Sequence, residues 1–396
     1  MDARLSNKIR IVSFLLMVLV AFIHGYNENL RFADKGLALP AAWLSFTERF
    51  ISDGVCRIAV PLFFAISGFL ACESLGKKFS FQGYGLLLRK RISSLLIPYL
   101  LVSAAGIGLV VLLQLFPFSR PFFNNYSLAG SSLKQWLNVL FLSPVAFPLW
   151  FIRFLMNYFL IFPLLYLGIR YFREAFVLLL LLLWAYTPLY QKIGLLKISF
   201  SLLTFLFCFL SGTDPTPYLS AHKNELEGLF FFALGMYASL HQLPLTGVWN
   251  RKWLMAAFFG WIAWIAYRTA ISLDIPARHN EVHYHLIGYT LTGTLLLWYF
   301  YDLFAEKLMS VSWLQKNAGF AIGVFLFHEP LLTIIKKGMI RLLGNGDFTL
   351  LLSFLIAPPA AFLLSLWFSK WLSSRVPGLY DLFTGSRRPK PSGAAS

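Results

Sequence analysis

The residue best suited to chemistry is His24, which follows an apolar run at residues 11–23. A histidine at membrane depth is costly unless it faces a cavity or a partner, so this position marks His24 as a functional candidate. An unperturbed imidazole has a pKa of about 6.5, which suits a general base that takes a proton from a hydroxyl near neutral pH. The alternative is a histidine among the lipid headgroups, where an imidazole costs little.

Two arginines and a tryptophan lie near the ends of other apolar runs. Arg57 enters the second run from the same predicted side as His24, either as a site residue or as an interfacial anchor paired with Asp53. Trp150 opens the fourth run, where an indole could stack on a sugar or belong to the aromatic belt at the membrane surface. Arg153 lies one helical turn deeper, at membrane level rather than in a loop, which favours a functional role.

An adjacent base and acid, His328 and Glu329, lie about halfway along the ninth apolar run. Two ionisable side chains are expensive at that depth, and Pro330 disrupts the backbone hydrogen bonds beside them. The two residues either line a site or form a structural hydrogen-bonded pair. Both are therefore candidate substrate-binding residues.

One cluster has the composition of a metal site: His279, Glu281, His283 and His285. Histidines four positions apart share a helix face, as in zinc sites. These residues fall in a short predicted outer loop with no cysteine or aspartate ligand nearby. We therefore expect no bound metal.

The composition excludes a water-soluble architecture. Of the 396 residues, 58% are hydrophobic and 13% are charged, and the mean hydropathy is +0.68. The formal net charge of +17 comes from short basic clusters between apolar runs. Such clusters predict membrane topology and not nucleic-acid binding. Three cysteines without metal-ligand spacing predict no disulfide framework.

Many apolar runs have about the length that a helix needs to cross a hydrocarbon core of roughly 30 Å. They predict an all-α, polytopic membrane bundle of about ten transmembrane helices surrounded by lipid. The predicted spans are 11–27, 55–73, 93–115, 148–168, 174–190, 225–241, 253–272, 285–304, 317–337 and 349–371.

The short basic loops fall on one side of these spans, which predicts a protein of the cell (inner or plasma) membrane with both termini in the cytoplasm. Lys336, Lys337 and Arg341 are exceptions, because they fall on the opposite side. Residues 1–375 are expected to form one membrane domain, followed by a basic, disordered cytoplasmic tail at 376–396.

The apolar stretch at 198–211 is only about 14 residues long, which is typical of a re-entrant or interfacial segment. We predict that it does not span, because a further crossing would move the basic loop at 251–252 and the basic tail to the outer side. Three longer outer segments, at 28–54, 116–147 and 191–224, are predicted to roof a cavity.

Several short motifs occur along the chain in an order that resembles the membrane acyltransferase-3 family. The similarity runs from about residue 8 to residue 372. The motifs are His24 at the end of the first helix, Val-Pro-Leu-Phe-Phe-Ala-Ile-Ser-Gly-Phe at 60–69, the basic 89–91 before Leu-Leu-Ile-Pro-Tyr at 95–99, Pro-Leu-Trp-Phe-Ile-Arg at 148–153, Phe-Phe-Ala-Leu-Gly at 231–235 and Phe-Leu-Phe-His-Glu-Pro at 325–330.

The resemblance implies a fold of about ten helices that moves an acyl group, usually acetyl from acetyl-CoA, to a hydroxyl of a cell-surface glycan or its lipid-linked precursor. His24 matches the catalytic histidine of the family. The family often has an Arg or Lys eleven positions earlier, where this chain has Ser13 and its nearest basic residue is Arg10. It also often has two arginines three apart before the third span, whereas Arg91 is followed by Ser94. Arg57 and Arg153 are therefore alternative donor-binding residues.

With an acyl thioester as donor, Arg89, Lys90 and Arg91 at the cytoplasmic entry of the third span are expected to hold coenzyme A phosphates. Charges that only set the topology are the alternative. Because His24 lies near the opposite face, the pantetheine arm would follow an interior channel. Arg57 or Arg153 would position the acceptor or offset charge on the carbonyl oxygen. No nucleophilic serine or cysteine is predicted, so we expect direct transfer.

Two rival classes account for some of the same residues. A secondary transporter of a polar metabolite or glycan precursor would also carry histidine, glutamate and arginine within the membrane, but self-similar halves are not visible. The membrane-bound O-acyltransferases would make a late histidine such as His328 catalytic. The early His24 favours the first family, and separate substitution of each histidine discriminates between the two enzyme classes.

Overall fold

The computed structural model describes residues 1–27, 40–76, 79–123, 128, 130–142, 147–187, 202–213, 223–247, 249–274 and 279–385. Within these ranges the chain forms helices and no strands, as an all-α bundle requires. Parts of the predicted outer segments, at 28–39, 191–201 and 214–222, lie outside the described residues, and the roof that these segments were expected to form stays a prediction.

The helices are numbered here in chain order. They are α1 (Ala3–His24), α2 (Ala42–Arg49), α3 (Ala59–Leu75), α4 (Phe81–Arg91), α5 (Ile97–Leu115), α6 (Arg120–Phe123), α7 (Leu133–Phe141), α8 (Trp150–Leu160), α9 (Phe162–Ala185), α10 (Leu202–Ser211), α11 (Lys223–Leu240), α12 (Arg251–Asp274), α13 (His279–Ser310), α14 (Ser312–Asn317), α15 (Ala321–Leu343), α16 (Asp347–Arg375) and α17 (Pro377–Thr384).

Six continuous helical stretches in the described part of the chain are long and apolar enough to cross a membrane. Three of them join neighbouring helices: α2 runs into α3 through a π turn and a 3₁₀ turn, α4 into α5 through a π turn, and α14 into α15 through a 3₁₀ turn. A seventh span results if α8 and α9, which are bent by 62°, cross as one unit. A polytopic membrane bundle is confirmed, whereas the number ten stays a prediction.

Helix α1 lies inside the bundle and packs against α3, α15 and α16. It begins at Asp2, whose side chain accepts a hydrogen bond from the Leu5 backbone N–H at 2.6 Å and so satisfies one unpaired donor of the first turn. Near this end the buried Lys8 ammonium lies 2.7 Å from the Asp302 carboxylate of α13. The same ammonium donates to Leu245 O at 2.9 Å and lies 4.3 Å from the Trp298 ring centroid. These contacts fix the N-terminal half of α1.

Helices α3 and α11 approach closely because each presents a glycine to the other. A Cβ at Gly68 would collide with the Phe232 backbone carbonyl, and a Cβ at Gly235 would collide with that of Ala65. Small residues allow helix backbones to pack tightly where no hydrophobic effect drives association within lipid. Gly68 and Gly235 therefore set how closely α3 and α11 pack.

The predicted turn between the fourth and fifth spans lies inside α9. Arg173 has φ 47°, outside the helical region, and the Phe176 ring lies against Gly168. In a straight helix these two residues would be about 12 Å apart along the axis, so the chain turns sharply at Arg173.

The predicted non-spanning stretch at 198–211 contains α10, with residues 198–201 outside the described part. A helix of ten residues is about 15 Å long, roughly half the hydrocarbon thickness. It is not among the candidate spans of the described residues. That the whole stretch at 198–211 does not span stays a prediction.

The predicted disordered tail needs a correction at residues 377–385. Helix α17 lies directly after α16, and Tyr380 and Thr384 are fully buried within it. The Phe320 and Tyr380 rings are 6.1 Å apart, so the helix belongs to the folded domain. The sequence prediction assigned this helix to the tail because the basic residues at 387–390 follow closely after it. Those basic residues lie outside the described part of the chain.

Candidate active site

The two intramembrane histidines that the sequence singled out are neighbours in the structure. His24 is the last residue of α1 and His328 lies in the second turn of α15. Their ring centroids are 5.6 Å apart, with an angle of 45° between the ring planes. We refer to His24 and His328 as the histidine pair.

Hydrogen bonding assigns the tautomer of His328. Its Nδ1 lies 2.8 Å from Phe325 O and 3.2 Å from Val324 O, and both of these atoms can only accept. Nδ1 therefore carries the proton, and Nε2 presents a lone pair. Nε2 is buried, and no hydrogen-bond partner for it occurs among the described residues. A proton acceptor thus lies in a dry environment beside His24.

A buried polar cluster holds the chain where it leaves α1, directly after His24. The Lys336 ammonium donates to Gly25 O at 2.5 Å and to Tyr26 O at 3.0 Å. The fully buried Glu48 carboxylate accepts from the Asn27 backbone N–H at 3.0 Å and from the Asn27 side-chain amide at 2.5 Å. A cation at a helix C-terminus also compensates the helix dipole. The cluster fixes the backbone that carries the His24 imidazole.

A cavity of about 400 Å³ lies inside the bundle between α1, α3, α8, α15 and the α4–α5 turn. The cavity has two distinct ends along the helix axes. The N-terminus contacts Glu73 and Arg10 contacts Gln315, which puts the end of α3 and helix α14, which leads into α15, beside the start of α1. The lining side chains furthest from this end are Met17, Phe63, Phe151 and Phe325.

The near end of the cavity is basic. Arg10 and Arg91 both line it, and the Arg91 guanidinium lies 4.7 Å from the Phe159 ring centroid. We refer to these two arginines as the basic mouth. Arg89 and Lys90 are exposed and do not line the cavity. Of the three predicted donor-binding residues the structure therefore brings only Arg91 to the cavity, together with Arg10.

Ser13 also lines the cavity, one helical turn beyond Arg10 on the same face of α1. The sequence has a serine where a basic residue often stands, and Arg10 was its nearest basic neighbour. Because residues three apart share a helix face, a guanidinium at residue 10 reaches the same cavity as one at residue 13 would.

Three other predicted site residues are engaged by neighbouring groups. Arg57 forms an ion pair with the buried Glu227 of α11. Arg153 donates to Leu142 O at 2.6 Å. The half-buried Trp150 ring packs edge-on against Phe154, with centroids 5.4 Å apart. Glu227 is thus an ion-pair partner of Arg57 that the sequence did not suggest, and the pairing with Asp53 stays a prediction.

Glu329 is oriented by its own helix, since the Thr333 hydroxyl donates to its carboxylate at 2.8 Å. Its neighbour His328 bonds to backbone carbonyls one turn earlier, so the two do not form the hydrogen-bonded pair that the sequence allowed. The predicted pair therefore separates into two residues with different partners.

The possible metal cluster is mostly untested. The side chains of His279, Glu281 and His283 lie outside the described part of the chain, and the described part holds no group of three metal-ligating side chains. His285 Nδ1 accepts a hydrogen bond from the Trp264 indole at 2.9 Å.

Sequence reasoning missed the contributions of Lys336, Glu48, Asn27 and Glu227. A signal existed for Lys336, because this lysine falls on the predicted outer side and breaks the charge rule that the other loops follow. A lysine that does not set the topology is expected to make a structural or functional contact inside the protein. For Glu48 and Glu227 no local pattern distinguishes a buried carboxylate from a loop carboxylate.

The arrangement combines a proton-acceptor pair with an apolar cavity that has a cationic entrance. A molecule with an anionic head and a long, mostly apolar arm would leave its head at the basic mouth and bring its far end toward the histidine pair.

Two comparisons with known proteins found matches to this chain. A family model described as an acyltransferase domain matches residues 8–370, nearly the whole chain. The chain is 27% identical over 341 residues to the succinoglycan biosynthesis protein ExoH of Rhizobium meliloti (strain 1021). That match covers 84% of this chain and 80% of the relative. No solved structure matches the chain.

Proposed function

The chain belongs to the membrane acyltransferase-3 family, and from this premise we propose that it moves an acyl group, in the first place acetyl, from acyl-CoA to a hydroxyl of a cell-surface polysaccharide or its lipid-linked precursor. Membership makes the chain an acyltransferase, which excludes the secondary transporter as an alternative. The observation that carries the proposal is the histidine pair beyond the inner end of a cavity with a basic mouth.

In the proposed reaction His24 acts as the general base. Its imidazole takes the proton of the acceptor hydroxyl while the hydroxyl oxygen attacks the thioester carbonyl carbon. The C–S bond then breaks, and the coenzyme A sulfur leaves as a thiol with the proton that His24 has accepted. An ester and a free thiol result, and no acyl-enzyme forms. Direct transfer agrees with the absence of a nucleophile among the predicted catalytic residues.

His328 orients the base in this mechanism. Because its Nδ1 donates to Phe325 O, its Nε2 lone pair can accept an N–H from His24. This bond is not formed in the structure, where Nε2 has no partner among the described residues; formed when the acceptor binds, it would select the His24 tautomer and leave the other nitrogen to act as the base. Arg57 or Arg153 would offset charge on the carbonyl oxygen, each exchanging part of its present contact with Glu227 or Leu142 O. Lys336, which binds Gly25 O and Tyr26 O, would act through the backbone that follows His24.

We assign the donor to the basic mouth and place that end in the cytoplasm. Arg10 and Arg91 would bind the coenzyme A phosphates, and the pantetheine arm would lie in the cavity between α1, α3, α8 and α15. Arg89 and Lys90 would contribute only long-range charge, because they are exposed. The distance to be covered supports this assignment: from Arg10 to His24 the axis of α1 rises about 21 Å, and the cavity lines the first half of it, from Arg10 to Met17.

The acceptor proposal rests on the relative. The name of ExoH ties that protein to succinoglycan biosynthesis, and a surface polysaccharide or its lipid-linked precursor is the corresponding acceptor class for this chain. Trp150, near the start of α8, would stack on a sugar ring, and Glu329 would accept a hydrogen bond from a sugar hydroxyl.

The test uses cells that make the glycan, with the gene deleted and then restored as wild type or variant. Ester content of the surface glycan is measured by composition analysis. Restoring His24→Ala is expected to leave the ester missing, because a general base contributes about 10²–10⁴-fold to the rate.

The matched control is His241→Ala. His241 packs against Tyr237, close to Ser239, which donates to the same Glu73 carboxylate that pairs with the chain's N-terminus, so His241 lies at the end of the bundle opposite the histidine pair. This variant should restore the ester fully. Normal esterification by a well-folded His24→Ala protein would refute the proposal, and loss confined to His328→Ala would favour a membrane-bound O-acyltransferase mechanism instead.

A further inference from the structure

Resting on the proposed function, we propose that Phe63, Phe151 and Phe325 form an aromatic barrier that limits the acyl group to short chains. These three rings stand between the cavity and the histidine pair. A residue set that determines donor specificity would thus lie in the middle of the bundle, remote from the basic mouth that binds the donor head.

The rings contact one another at the inner end of the cavity. Phe63 and Phe151 have centroids 6.1 Å apart, and Phe151 and Phe325 have centroids 5.7 Å apart. Each is the lining residue of its helix that lies furthest from the basic mouth, and each is half-buried. The barrier therefore combines one side chain each from α3, α8 and α15.

One ring of the barrier, Phe325, contacts the histidine pair directly. The Phe325 and His328 ring centroids are 6.2 Å apart, and His24 lies next to His328. Neither histidine lines the cavity. A thioester that reaches the pair must therefore bring its carbonyl, and every carbon attached to it, past the three phenyl rings.

Packing supplies the size limit. Phe151 also lies against Phe64, with ring centroids 4.5 Å apart, and the Phe64 side chain is fully buried. Phe151 therefore cannot retreat from the cavity without displacing a buried ring. Close-packed interiors respond to single methylene groups, and one methylene in an apolar pocket changes discrimination by about 10–200-fold. Once the carbonyl reaches the histidine pair, the pantetheine arm fills the gap between the rings, so further methylenes of the acyl chain can neither fold back into the gap nor displace a ring. A donor with several further methylenes should therefore be rejected strongly.

The barrier also keeps water from the histidine pair. Removal of one ring would admit water, whose oxygen would attack the thioester carbonyl in place of the acceptor hydroxyl. The C–S bond would break, giving a carboxylic acid and coenzyme A thiol. Increased donor hydrolysis without acceptor is therefore a second signature of an opened barrier.

The experiment compares donors in inverted membrane vesicles from cells that make the glycan. Radiolabelled acetyl-, butyryl- and octanoyl-CoA are supplied, and label is measured in glycan and in free acid. Phe63→Ala is expected to raise the ratio of butyryl or octanoyl transfer to acetyl transfer, in kcat/KM, by at least about tenfold. Phe151→Leu is the second variant in case Phe63→Ala does not fold.

Phe69→Ala is the matched control, because it removes the same atoms from a buried position of α3 that does not line the cavity. Its donor ratio should equal that of the wild type. Folded, active Phe63→Ala and Phe151→Leu proteins with an unchanged donor ratio would overturn the barrier and leave the acyltransferase function standing. A wild-type protein that transfers label from none of the three donors would overturn both.

Discussion

Substitution of Lys336 by methionine tests whether the buried cluster at the end of α1 positions the proposed catalytic base. Methionine keeps most of the side-chain length and removes the charge and the donors. The ammonium is 2% exposed and bonds to Gly25 O and Tyr26 O, the two carbonyls that follow His24. Without it the helix end loses its cation and both hydrogen bonds.

The expected magnitude follows from these contacts. Hydrogen bonds to a charged group are worth about 1.5–3 kcal/mol each, so the backbone at Gly25 and Tyr26 is free to shift once both are lost. A displacement of about 1 Å in a reacting group costs on the order of 10²-fold in rate. We expect kcat to fall about 100-fold, equivalent to about 2.7 kcal/mol, while KM for acetyl-CoA stays within about twofold.

The assay is acetyl transfer to glycan in inverted vesicles, normalised to folded protein by size-exclusion chromatography. Lys336→Arg should recover part of the rate, because a guanidinium can donate to the same carbonyls. Lys337→Met, which removes a neighbouring charge that lies 4.8 Å from the Phe123 ring centroid, is the matched control and should change kcat by less than about fivefold. A folded Lys336→Met protein with wild-type kcat would refute the positioning argument.

Two further predictions concern the opposite end of the bundle. Arg91→Ala should raise KM for acetyl-CoA about tenfold or more in the vesicle assay, because a charge-assisted hydrogen bond is lost, whereas the exposed Lys90→Ala should change it less than about threefold. Lys8→Met leaves the Asp302 carboxylate buried without its cation and should destabilise the fold by about 3–5 kcal/mol in detergent unfolding measurements. A double variant that also carries Asp302→Leu should regain most of that loss, and an equally unstable double variant would contradict the ion-pair explanation.

Many of the residues that form the site can be recognised in the sequence. The apolar runs predict a helical membrane protein, and an ionisable residue inside such a run stands out against its neighbours. His24 and His328 were found in this way, and Arg91 was found as part of the basic cluster at 89–91 before the third span. The same local reasoning could not tell which cation of the 89–91 cluster lines the cavity. Arg89, Lys90 and Arg91 are all basic residues of one short segment, and what separates them is the direction in which their side chains point from α4.

Other residues were placed by partners that sequence patterns do not reveal. Arg57 was expected to act on a substrate or to pair with Asp53, and Glu227 of a distant helix is its ion-pair partner. Arg153 holds the Leu142 carbonyl. In each case the residue type was identified correctly as unusual, while its contact depends on which faces of two helices meet.

The sequence by itself determined the class of solvent, the helical character and the family, because apolar runs and short ordered motifs are properties of neighbouring residues. Only the tertiary structure decided that His24 meets His328, that Lys336 turns inward to bind the end of α1, and that one of three clustered cations lines the cavity. The physical reason is that lipid removes the hydrophobic force between helices. Their rotation and pairing are then set by close packing at residues such as Gly68 and by buried polar contacts, both of which join parts of the chain that lie far apart.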